Sequence, residues 1–265
     1  MPPSDGLGSR WRRALITGAS SGIGLAFAER LGAAGADLVV VARNEARLEE
    51  LAARIRAEND VDVEVLVADL ADREQLQVVE QRLLAGASPI DLLVNNAGFG
   101  NTGDFLDLDI DDETAAVNVN IVALQRLAHA AGTSMTSRGS GGIINVSSIA
   151  GYLPTPGSAT YAATKAFVTS LSEALHDEVG PRGVVVTCVC PGLTRTEFQD
   201  RAGYDASHFP AMVWQSPEQV VDATLAALGA GKPVVVPGLH NRVLKGALRA
   251  TPDRLRRFIT TRMPR

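Results

Sequence analysis

The hydrophobic pattern of the chain alternates between two periods. Short runs of apolar, largely β-branched residues are separated by stretches in which apolar residues recur at helical spacing. The runs predict strands over residues 14–17, 38–42, 61–68, 92–95, 143–147, 184–190 and 234–236. The stretches between them predict helices over residues 22–34, 45–59, 72–84, 111–137, 159–179 and 217–230. Because the strands are apolar almost throughout, we expect parallel strands covered on both faces. The pattern therefore predicts an α/β fold with a doubly wound, mostly parallel seven-stranded sheet and helices on both faces.

One domain is predicted to contain nearly all of these elements. No Pro/Ser-rich linker or internal repeat divides the series, so we assign residues 12–239 to a single domain. Residues 1–11 are predicted to be a flexible tail, and residues 240–265 a basic helical extension. The one long irregular stretch, residues 193–216, is typical of an active-site lid or a binding loop.

Composition and charge exclude several classes of protein. No apolar run approaches the length of about 18 residues that a membrane-spanning helix needs, and the first residues contain no apolar stretch that could serve as a signal sequence. Cys188 and Cys190 lie two apart on one predicted strand, which favours core packing over a redox pair. These features predict a cytoplasmic protein. The net charge is −5, but residues 240–265 carry +7 and leave −12 for residues 1–239, which argues against nucleic-acid binding.

The basic extension has three interpretations. It could contact the acidic body of a neighbouring subunit, it could contact an anionic membrane, or it could be a solvated helix. The helix would pack through apolar positions at Leu244, Leu248, Leu255 and Ile259.

A glycine-rich turn joins the first predicted strand to the first helix. The turn runs Thr17-Gly18-Ala19-Ser20-Ser21-Gly22-Ile23-Gly24. Glycines at these positions permit a tight turn and a close approach of backbone N–H groups, and the helix N-terminus favours a diphosphate. The motif could be merely a turn, but its place at the first strand–helix junction favours dinucleotide binding. A second turn, Asn95-Asn96-Ala97-Gly98, follows the fourth strand, where ligands of open α/β sheets bind; an ordinary turn is the alternative.

Tyr161 and Lys165 lie four residues apart in a predicted helix, so they share a face. A neighbouring ammonium stabilises tyrosinate, and we therefore expect it to lower the pKa of the tyrosine. Ser147 and Ser148 end the fifth strand just upstream, and a serine hydroxyl there could bond a substrate oxygen. The alternative is an ordinary packing pair beside routine turn serines.

Arg43 ends the second predicted strand, and no carboxylate follows before Glu45. An acidic residue at this point selects NAD by bonding the adenosine ribose, whereas an arginine accommodates the 2′-phosphate of NADP. The pattern therefore favours NADP(H) over NAD(H). Arg43 could instead simply cap the strand edge in solvent.

Together these motifs resemble the short-chain dehydrogenase/reductase family of the classical type. The resemblance spans residues 12–237 and rests on TGASSGIG, NNAG, NVSS before YAATK, and Pro191-Gly192 with Thr196, in the family's order. It implies a single-domain Rossmann fold and a homodimer or homotetramer, which favours the subunit interpretation of the basic extension over membrane contact.

The resemblance also implies roles for particular residues. Tyr161 would be the acid/base, and Lys165 would lower its pKa and bind the nicotinamide ribose. The family's spacing selects Ser148 over Ser147 as the serine that polarises the substrate oxygen. The relay asparagine is Asn118 or Asn120, and the downstream apolar pattern favours Asn120. The cofactor-binding set comprises Gly18, Ser20, Ser21, Gly22, Ile23, Gly24, Arg43, Asp69, Leu70, Asn95, Ala97, Gly98, Tyr161, Lys165, Pro191, Gly192, Thr194 and Thr196. Within this set, Asp69 would contact the adenine, and the last four residues would line the nicotinamide carboxamide.

The expected activity is hydride transfer between NADP(H) and a small-molecule carbonyl or secondary alcohol. A non-catalytic dinucleotide-binding sensor or scaffold of the same fold is the alternative, although such proteins usually lose the catalytic side chains present here. The four histidines lack metal-ligand spacing, so no metal site is predicted. No motif identifies the substrate.

Overall fold

The computed structural model describes residues 10–206 and 209–250, with the side chains of residues 248–250 excepted. Within them, seven parallel strands form one sheet in the order β3-β2-β1-β4-β5-β6-β7. The strands are β1 (Arg13–Thr17), β2 (Asp37–Ala42), β3 (Val63–Val67), β4 (Leu92–Asn95), β5 (Gly141–Val146), β6 (Val184–Val189) and β7 (Val234–Val235). The predicted α/β fold with a doubly wound sheet is confirmed.

Helices cover both faces of the sheet. They are α1 (Gly22–Gly32), α2 (Glu45–Glu58), α3 (Arg73–Leu84), α4 (Ile110–Val117), α5 (Leu124–Arg138), α6 (Ala159–Val179), α7 (Phe198–Ala202), α8 (Pro217–Gly229) and α9 (Leu239–Ala250). Successive strand residues point to opposite faces, so β1 sends Ile16 into the core layer under α1, α2 and α8. Leu15 points into the other layer, which α3, α5 and α6 cover. Two apolar layers therefore hold the sheet rigidly between them.

The strand order reverses direction at β1, which lies between β2 and β4. From this point the chain winds one way to β3 and the other way to β7. In open α/β sheets, ligands bind in the crevice beyond the carboxyl ends of the strands at such a reversal. The fold therefore directs attention to the turns that follow β1, β4 and β5.

The helix predicted over residues 111–137 is interrupted. It divides into α4 and α5, which are joined by a π-helical turn over Asn118–Ala123. Single π-turns inside α-helices are rare and occur frequently at functional sites. Hydrophobic periodicity could not reveal this turn, because the apolar stripe continues through it.

The ends of the domain differ from the prediction. Trp11 was assigned to the flexible tail, but it is buried, and a Cβ on Gly142 would lie 2.7 Å from its ring. Residues 1–9 lie outside the described residues. At the other end, Leu244 is 39 % exposed, so the structure does not show the expected packing through this leucine. Asn241, near the start of α9, is buried instead. Leu255, Ile259 and the side chain of Leu248 lie outside the described part of the chain.

Two further predictions can be compared with the structure. Cys188 and Cys190 are fully buried with their Sγ atoms 3.9 Å apart, as core packing requires. Residues 193–216 contain the short helix α7 and a bridge between Thr194 and Gln215, so much of this stretch is ordered. Among the described residues we find no helix with the length and apolar character that crossing a membrane would require.

Candidate active site

A cavity of about 790 Å³ opens at the carboxyl edge of the sheet, where the strand order reverses. Most of the residues predicted from the sequence line it: Gly18, Ser20, Ser21, Gly22, Ile23, Arg43, Asp69, Leu70, Ala97, Gly98, Ser148, Tyr161, Lys165, Pro191, Gly192, Thr194 and Thr196. Gly24, Asn95 and Asn120 do not line it. The chain thus brings residues from seven separate segments to one cavity.

The glycine-rich turn after β1 forms one wall. Gly18 and Gly22 adopt φ angles of +67° and +57°, which side chains disfavour. A Cβ on Gly22 would lie 3.0 Å from the Thr196 side chain across the cavity. Gly24 lies behind the turn, where a Cβ would overlap the Gly18 carbonyl oxygen. The turn is therefore shaped for a close backbone approach, with the N-terminus of α1 facing the cavity.

Asn96, which the sequence left without a role, holds this turn in place. Its Nδ2 donates to the carbonyl oxygens of Thr17 and Gly18, at 2.9 and 3.3 Å. In return, the Thr17 hydroxyl accepts from the backbone N–H groups of Asn96 and Ala97, each at 3.0 Å. The turns after β1 and β4 are thus locked together, and both line the cavity. The preceding Asn95 points into the core, where its Nδ2 donates to Asn145 Oδ1.

Arg43 and Asp69 stand at the end of the cavity that lies beyond β2 and β3. An Arg43 Nη1 atom is 3.8 Å from Asp69 Oδ2, and the Arg43 side chain is 74 % exposed. Asp69 is partly committed to its own turn, since its Oδ1 accepts from the Ala71 N–H. The guanidinium is therefore free to turn toward an anion entering from solvent.

Tyr161, Lys165 and Ser148 meet on the opposite side. Lys165 is buried, and its Nζ donates to the Val146 carbonyl oxygen at 2.9 Å while lying 5.6 Å from the centre of the Tyr161 ring. The Tyr161 hydroxyl lies beside the Ser148 side chain and interacts with it. Helix α6 places Tyr161 and Lys165 one turn apart on its cavity face, and the end of β5 supplies the serine.

Burial has the largest effect on the pKa values of both Tyr161 and Lys165. It raises the pKa of Tyr161 to about 12, and the interaction with the Ser148 side chain opposes that rise. It lowers the pKa of Lys165 to about 8, because an ammonium loses its hydration there. We expected a lowered tyrosine pKa, but the protein groups alone do not produce one. Tyr161 is a protonated phenol at neutral pH, ready to donate a hydrogen bond or a proton.

The two neighbouring serines face different ways. Ser147 is buried, and its hydroxyl donates to the Lys165 carbonyl oxygen at 2.7 Å and contacts Thr169 Oγ1 at 2.8 Å. Ser148 faces the cavity beside Tyr161, and its hydroxyl accepts from the Ala150 N–H. Both residues line the cavity, but only the Ser148 hydroxyl lies beside Tyr161, and the choice of Ser148 stays a prediction.

The two candidate asparagines also differ. Asn120 is fully buried within the π-helical turn, whereas Asn118 is only half-buried. Asn120 Oδ1 accepts from the Phe99 N–H at 3.0 Å, and its Nδ2 donates to the Phe99 carbonyl oxygen at 2.8 Å. A Cβ on Gly98 would lie 2.9 Å from Asn120 Oδ1 and 3.3 Å from Lys165 Nζ, so both groups contact this glycine. Asn120 therefore lies near Lys165 but does not itself line the cavity.

The turn after β6 forms the remaining wall near Tyr161. Thr194 Oγ1 donates to the Gly192 carbonyl oxygen at 3.1 Å, and Thr196 Oγ1 accepts from the Phe198 N–H at 3.2 Å. A Cβ on Gly192 would overlap the Asn241 side chain, so α9 packs directly behind this turn.

Apolar side chains outside the predicted set line the cavity beyond Tyr161. They are Phe99, Ala115, Val119, Phe198 and Ala202. The Phe198 ring lies 5.3 Å from the Tyr161 ring, centre to centre. A compound that reaches the Tyr161 hydroxyl from this side would contact hydrocarbon.

A charged cluster at the cavity mouth was also missed. Arg47 lies on α2 and pairs with Glu197, which also pairs with Arg201 on α7. Arg201 Nη1 in turn reaches the Ser21 hydroxyl at 3.4 Å. Arg47 and Glu197 are 150 positions apart, so no local pattern in the sequence could join them.

Several known proteins are similar to this chain in sequence or in fold. The family model for short chain dehydrogenases matches residues 12–206. An uncharacterized oxidoreductase of Staphylococcus saprophyticus is 33 % identical over 215 residues, which are 81 % of this chain and 90 % of that protein. The structure of a short-chain dehydrogenase from Sphingobium yanoikuyae in complex with NADPH is 40 % identical, with a TM-score of 0.83 and 96 % of both chains covered. The bulky-bulky ketone specific alcohol dehydrogenase from Comamonas testosteroni is 36 % identical, with a TM-score of 0.80 and coverage of 97 % of this chain and 96 % of that one.

Proposed function

The chain belongs to the short-chain dehydrogenase family of oxidoreductases, and on this premise we propose that it interconverts a ketone and a secondary alcohol with NADP(H). The observation that carries the proposal is the convergence of Tyr161, Lys165 and Ser148 in the cavity that the glycine-rich turn also lines. A protein that only senses or carries a dinucleotide has no need for this trio, so catalysis is favoured over the scaffold alternative.

The residues of the cavity suit a dinucleotide. The glycine-rich turn offers backbone N–H groups at the start of α1, and a Cβ at Gly22 would narrow the gap to Thr196. Gly18, Ser20, Ser21, Gly22 and Ile23 would hold the diphosphate, and Asp69 and Leu70 the adenine. Ala97, Gly98, Lys165, Pro191, Gly192, Thr194 and Thr196 would hold the nicotinamide riboside. When bound, NADP(H) supplies or accepts the hydride.

Tyr161 and Ser148 would act on the substrate oxygen. In the direction of reduction, both hydroxyls donate hydrogen bonds to the carbonyl oxygen, and Tyr161 passes its proton as that oxygen becomes an alkoxide. The raised pKa of Tyr161 keeps this proton in place at neutral pH. Lys165 adds a positive charge beside the phenol, which stabilises the tyrosinate that the transfer leaves behind.

The choice of NADP(H) rests on Arg43. No carboxylate stands at the end of β2, and the Arg43 guanidinium is exposed at the cavity wall, where it can offer a planar fork to a 2′-phosphate. The NADPH bound by the relative from Sphingobium yanoikuyae supports the same choice.

We propose a ketone with bulky apolar groups on both sides of the carbonyl as the substrate. The hydrocarbon wall formed by Phe99, Ala115, Val119, Phe198 and Ala202 would exclude small hydrated substrates in favour of ones that bury apolar surface. The relative from Comamonas testosteroni, whose name specifies bulky-bulky ketones, supports this class.

The test measures NADPH oxidation by the purified protein with a series of ketones graded in the size of both substituents. We expect kcat/KM to rise as both substituents grow. Turnover restricted to small polar aldehydes would contradict the substrate class. NADPH binding without turnover on any carbonyl in the series would favour the scaffold alternative.

A further inference from the structure

Thr164 lies on α6 between Tyr161 and Lys165, on the side turned away from the cavity. Its side chain is buried, and its hydroxyl donates to the Tyr161 carbonyl oxygen at 2.8 Å. Threonines often make such a bond to the preceding helical turn. By itself this contact would leave Thr164 an ordinary helix residue.

The same hydroxyl has a second partner on another element. It accepts a hydrogen bond from Asn120 Nδ2 at 3.1 Å. The other bonds of the Asn120 amide go to the N–H and the carbonyl oxygen of Phe99. One buried oxygen atom thus joins α6 to the π-helical turn and, through Asn120, to the loop that follows β4.

That loop touches the reacting group directly. A Cβ on Gly100 would lie 2.7 Å from the Tyr161 ring, and Gly98 adjoins Lys165 Nζ in the same way. Phe99 lies between these two glycines, and the Asn120 amide is hydrogen-bonded to both the N–H and the carbonyl oxygen of Phe99. The hydrogen bond between Asn120 and Thr164 therefore sets the distance between this loop and the Tyr161–Lys165 pair.

We propose that Thr164 is a positioning residue, whose hydroxyl fixes Tyr161 and Lys165 relative to Asn120 and the Phe99 loop. The proposal rests on the function proposed above. Removal of the hydroxyl leaves an Asn120 N–H group buried without a partner, so the amide must turn or the loop must move to satisfy it. Either response displaces Tyr161 from the substrate oxygen, while the bonds of Asn96 to Thr17 and Gly18 continue to hold the glycine-rich turn.

The test compares Thr164→Val, which keeps the shape and removes the hydroxyl, with Thr164→Ser, which keeps the hydroxyl. Thr224→Val is the matched control, because Thr224 is a buried threonine on α8 that donates to the Val220 carbonyl oxygen. In Thr164→Val we expect kcat per NADPH-binding site to fall by about 10- to 100-fold, the cost of a misplaced reacting group. The KM for the ketone should stay near the parental value. The dissociation constant of NADPH should change by much less than kcat, because the residues proposed to hold the diphosphate and the adenine do not contact Thr164. Thr164→Ser should restore kcat, and Thr224→Val should leave it unchanged.

A second measurement does not depend on turnover. The chain has three tyrosines, so ¹³Cζ-tyrosine NMR resolves Tyr161 by comparison with Tyr161→Phe. We expect the Tyr161 resonance to shift in Thr164→Val and to return in Thr164→Ser. An unchanged resonance would overturn the proposal even if no ketone is turned over. Parental kcat in Thr164→Val, or equal losses in the Val and Ser variants, would overturn it as well. Absence of turnover in the parent would instead contradict the proposed function.

Discussion

Arg47 and Glu197 face each other across the mouth of the cavity, with Arg47 Nη1 3.0 Å from Glu197 Oε2 and 3.1 Å from Oε1. Arg47 follows β2 and Glu197 follows β6, which lie on opposite sides of the reversal in the sheet. The pair therefore joins the two halves of the fold above the groove in which a dinucleotide would lie. Arg201 extends the link from Glu197 to Ser21 on the glycine-rich turn.

Replacement of Glu197 by Gln should speed the release of nucleotide. The pair is exposed, so we expect the dissociation rate to rise by about two- to fivefold, as one such ion pair supports. The effect should be the same for NADPH and NADH, because the link does not depend on the 2′-phosphate. Stopped-flow displacement measures both rates.

Asp200→Asn is the matched control, because it makes the same charge change at an exposed position on α7. Equal acceleration in Glu197→Gln and Asp200→Asn would mean that net charge, rather than the link, controls release. Acceleration limited to NADPH would point to Arg47 as a reader of the 2′-phosphate.

Tyr161→Phe should abolish ketone reduction and spare nucleotide binding. In the proposed mechanism the phenol supplies the proton, and a general acid is worth about 10²- to 10⁴-fold in rate. Steady-state kinetics and NADPH fluorescence titration measure the two properties. Tyr204→Phe removes a hydroxyl from the neighbouring loop without touching the cavity and should keep parental turnover. Turnover in Tyr161→Phe within tenfold of the parent would refute the assignment.

The affinity for nucleotide should fall as the pH rises through about 8. Burial lowers the pKa of Lys165 to about 8, so its ammonium is lost from the unliganded protein above that pH. The cofactor is an anion and favours the charged lysine, so binding weakens as the lysine deprotonates. Titration of NADPH between pH 7 and pH 10 checks this expectation. Lys165→Met should bind more weakly, with a flat profile over the same range.

The same pKa shift predicts a change in stability. An unfolded chain holds the Lys165 proton up to its ordinary pKa of 10.5, whereas the folded chain releases it near 8. Between these values the unfolded state binds more protons, so the contribution of Lys165 to the free energy of unfolding increases with pH. Urea unfolding at pH 7.5 and pH 9.5 should reveal this increase in the parent relative to Lys165→Met. An equal pH response in both proteins would contradict the lowered pKa.

Arg43→Asp should shift nucleotide preference toward NADH. The new carboxylate repels a 2′-phosphate and stands close to Asp69, which lies 3.8 Å from the arginine it replaces. Loss of a charge-assisted contact should weaken NADPH binding by about 10- to 100-fold, with little change for NADH. Arg12→Asp makes the same charge change just before β1, at the opposite edge of the sheet from Arg43, and should leave the affinities for NADPH and NADH unchanged. Tighter binding of NADH than NADPH by the parent would show that Arg43 does not select the cofactor.

The sequence predicted the strands well because buried parallel strands are apolar throughout, and that signal is local. The sequence also singled out Arg43 and the glycine-rich turn, because their positions follow from the end of a strand, and both line the cavity. The ion pair between Arg47 and Glu197 was not predicted, because it forms only where two segments that are distant in the chain come together. The pKa of Tyr161 was misjudged for a related reason. Spacing on a helix reveals the neighbouring ammonium but not the depth of burial, which is the larger effect here.

The two candidate asparagines also show that a local sequence pattern does not reveal contacts between distant segments. Asn118 and Asn120 lie two apart in an apolar stripe, and the sequence favoured Asn120 only through the apolar pattern downstream of it, compared with that of the family it resembles. The burial of Asn120 and its bonds to Phe99 depend on the π-helical turn, which hydrophobic periodicity does not encode. Asn96 was passed over because its partners, Thr17 and Gly18, lie 79 and 78 positions earlier in the chain, at the end of β1.

The glycines of this protein differ widely in how well they could tolerate a side chain. Gly24 and Gly100 have ordinary backbone angles, yet a methyl group at either would collide with the Gly18 carbonyl or the Tyr161 ring. Gly86, Gly180 and Gly229 have open space where a Cβ would go. A library of random variants selected for turnover should therefore retain glycine at the first two positions and accumulate substitutions freely at the other three. Near the cavity, the lack of space for a Cβ atom would therefore restrict substitution even at residues that take no part in the chemistry.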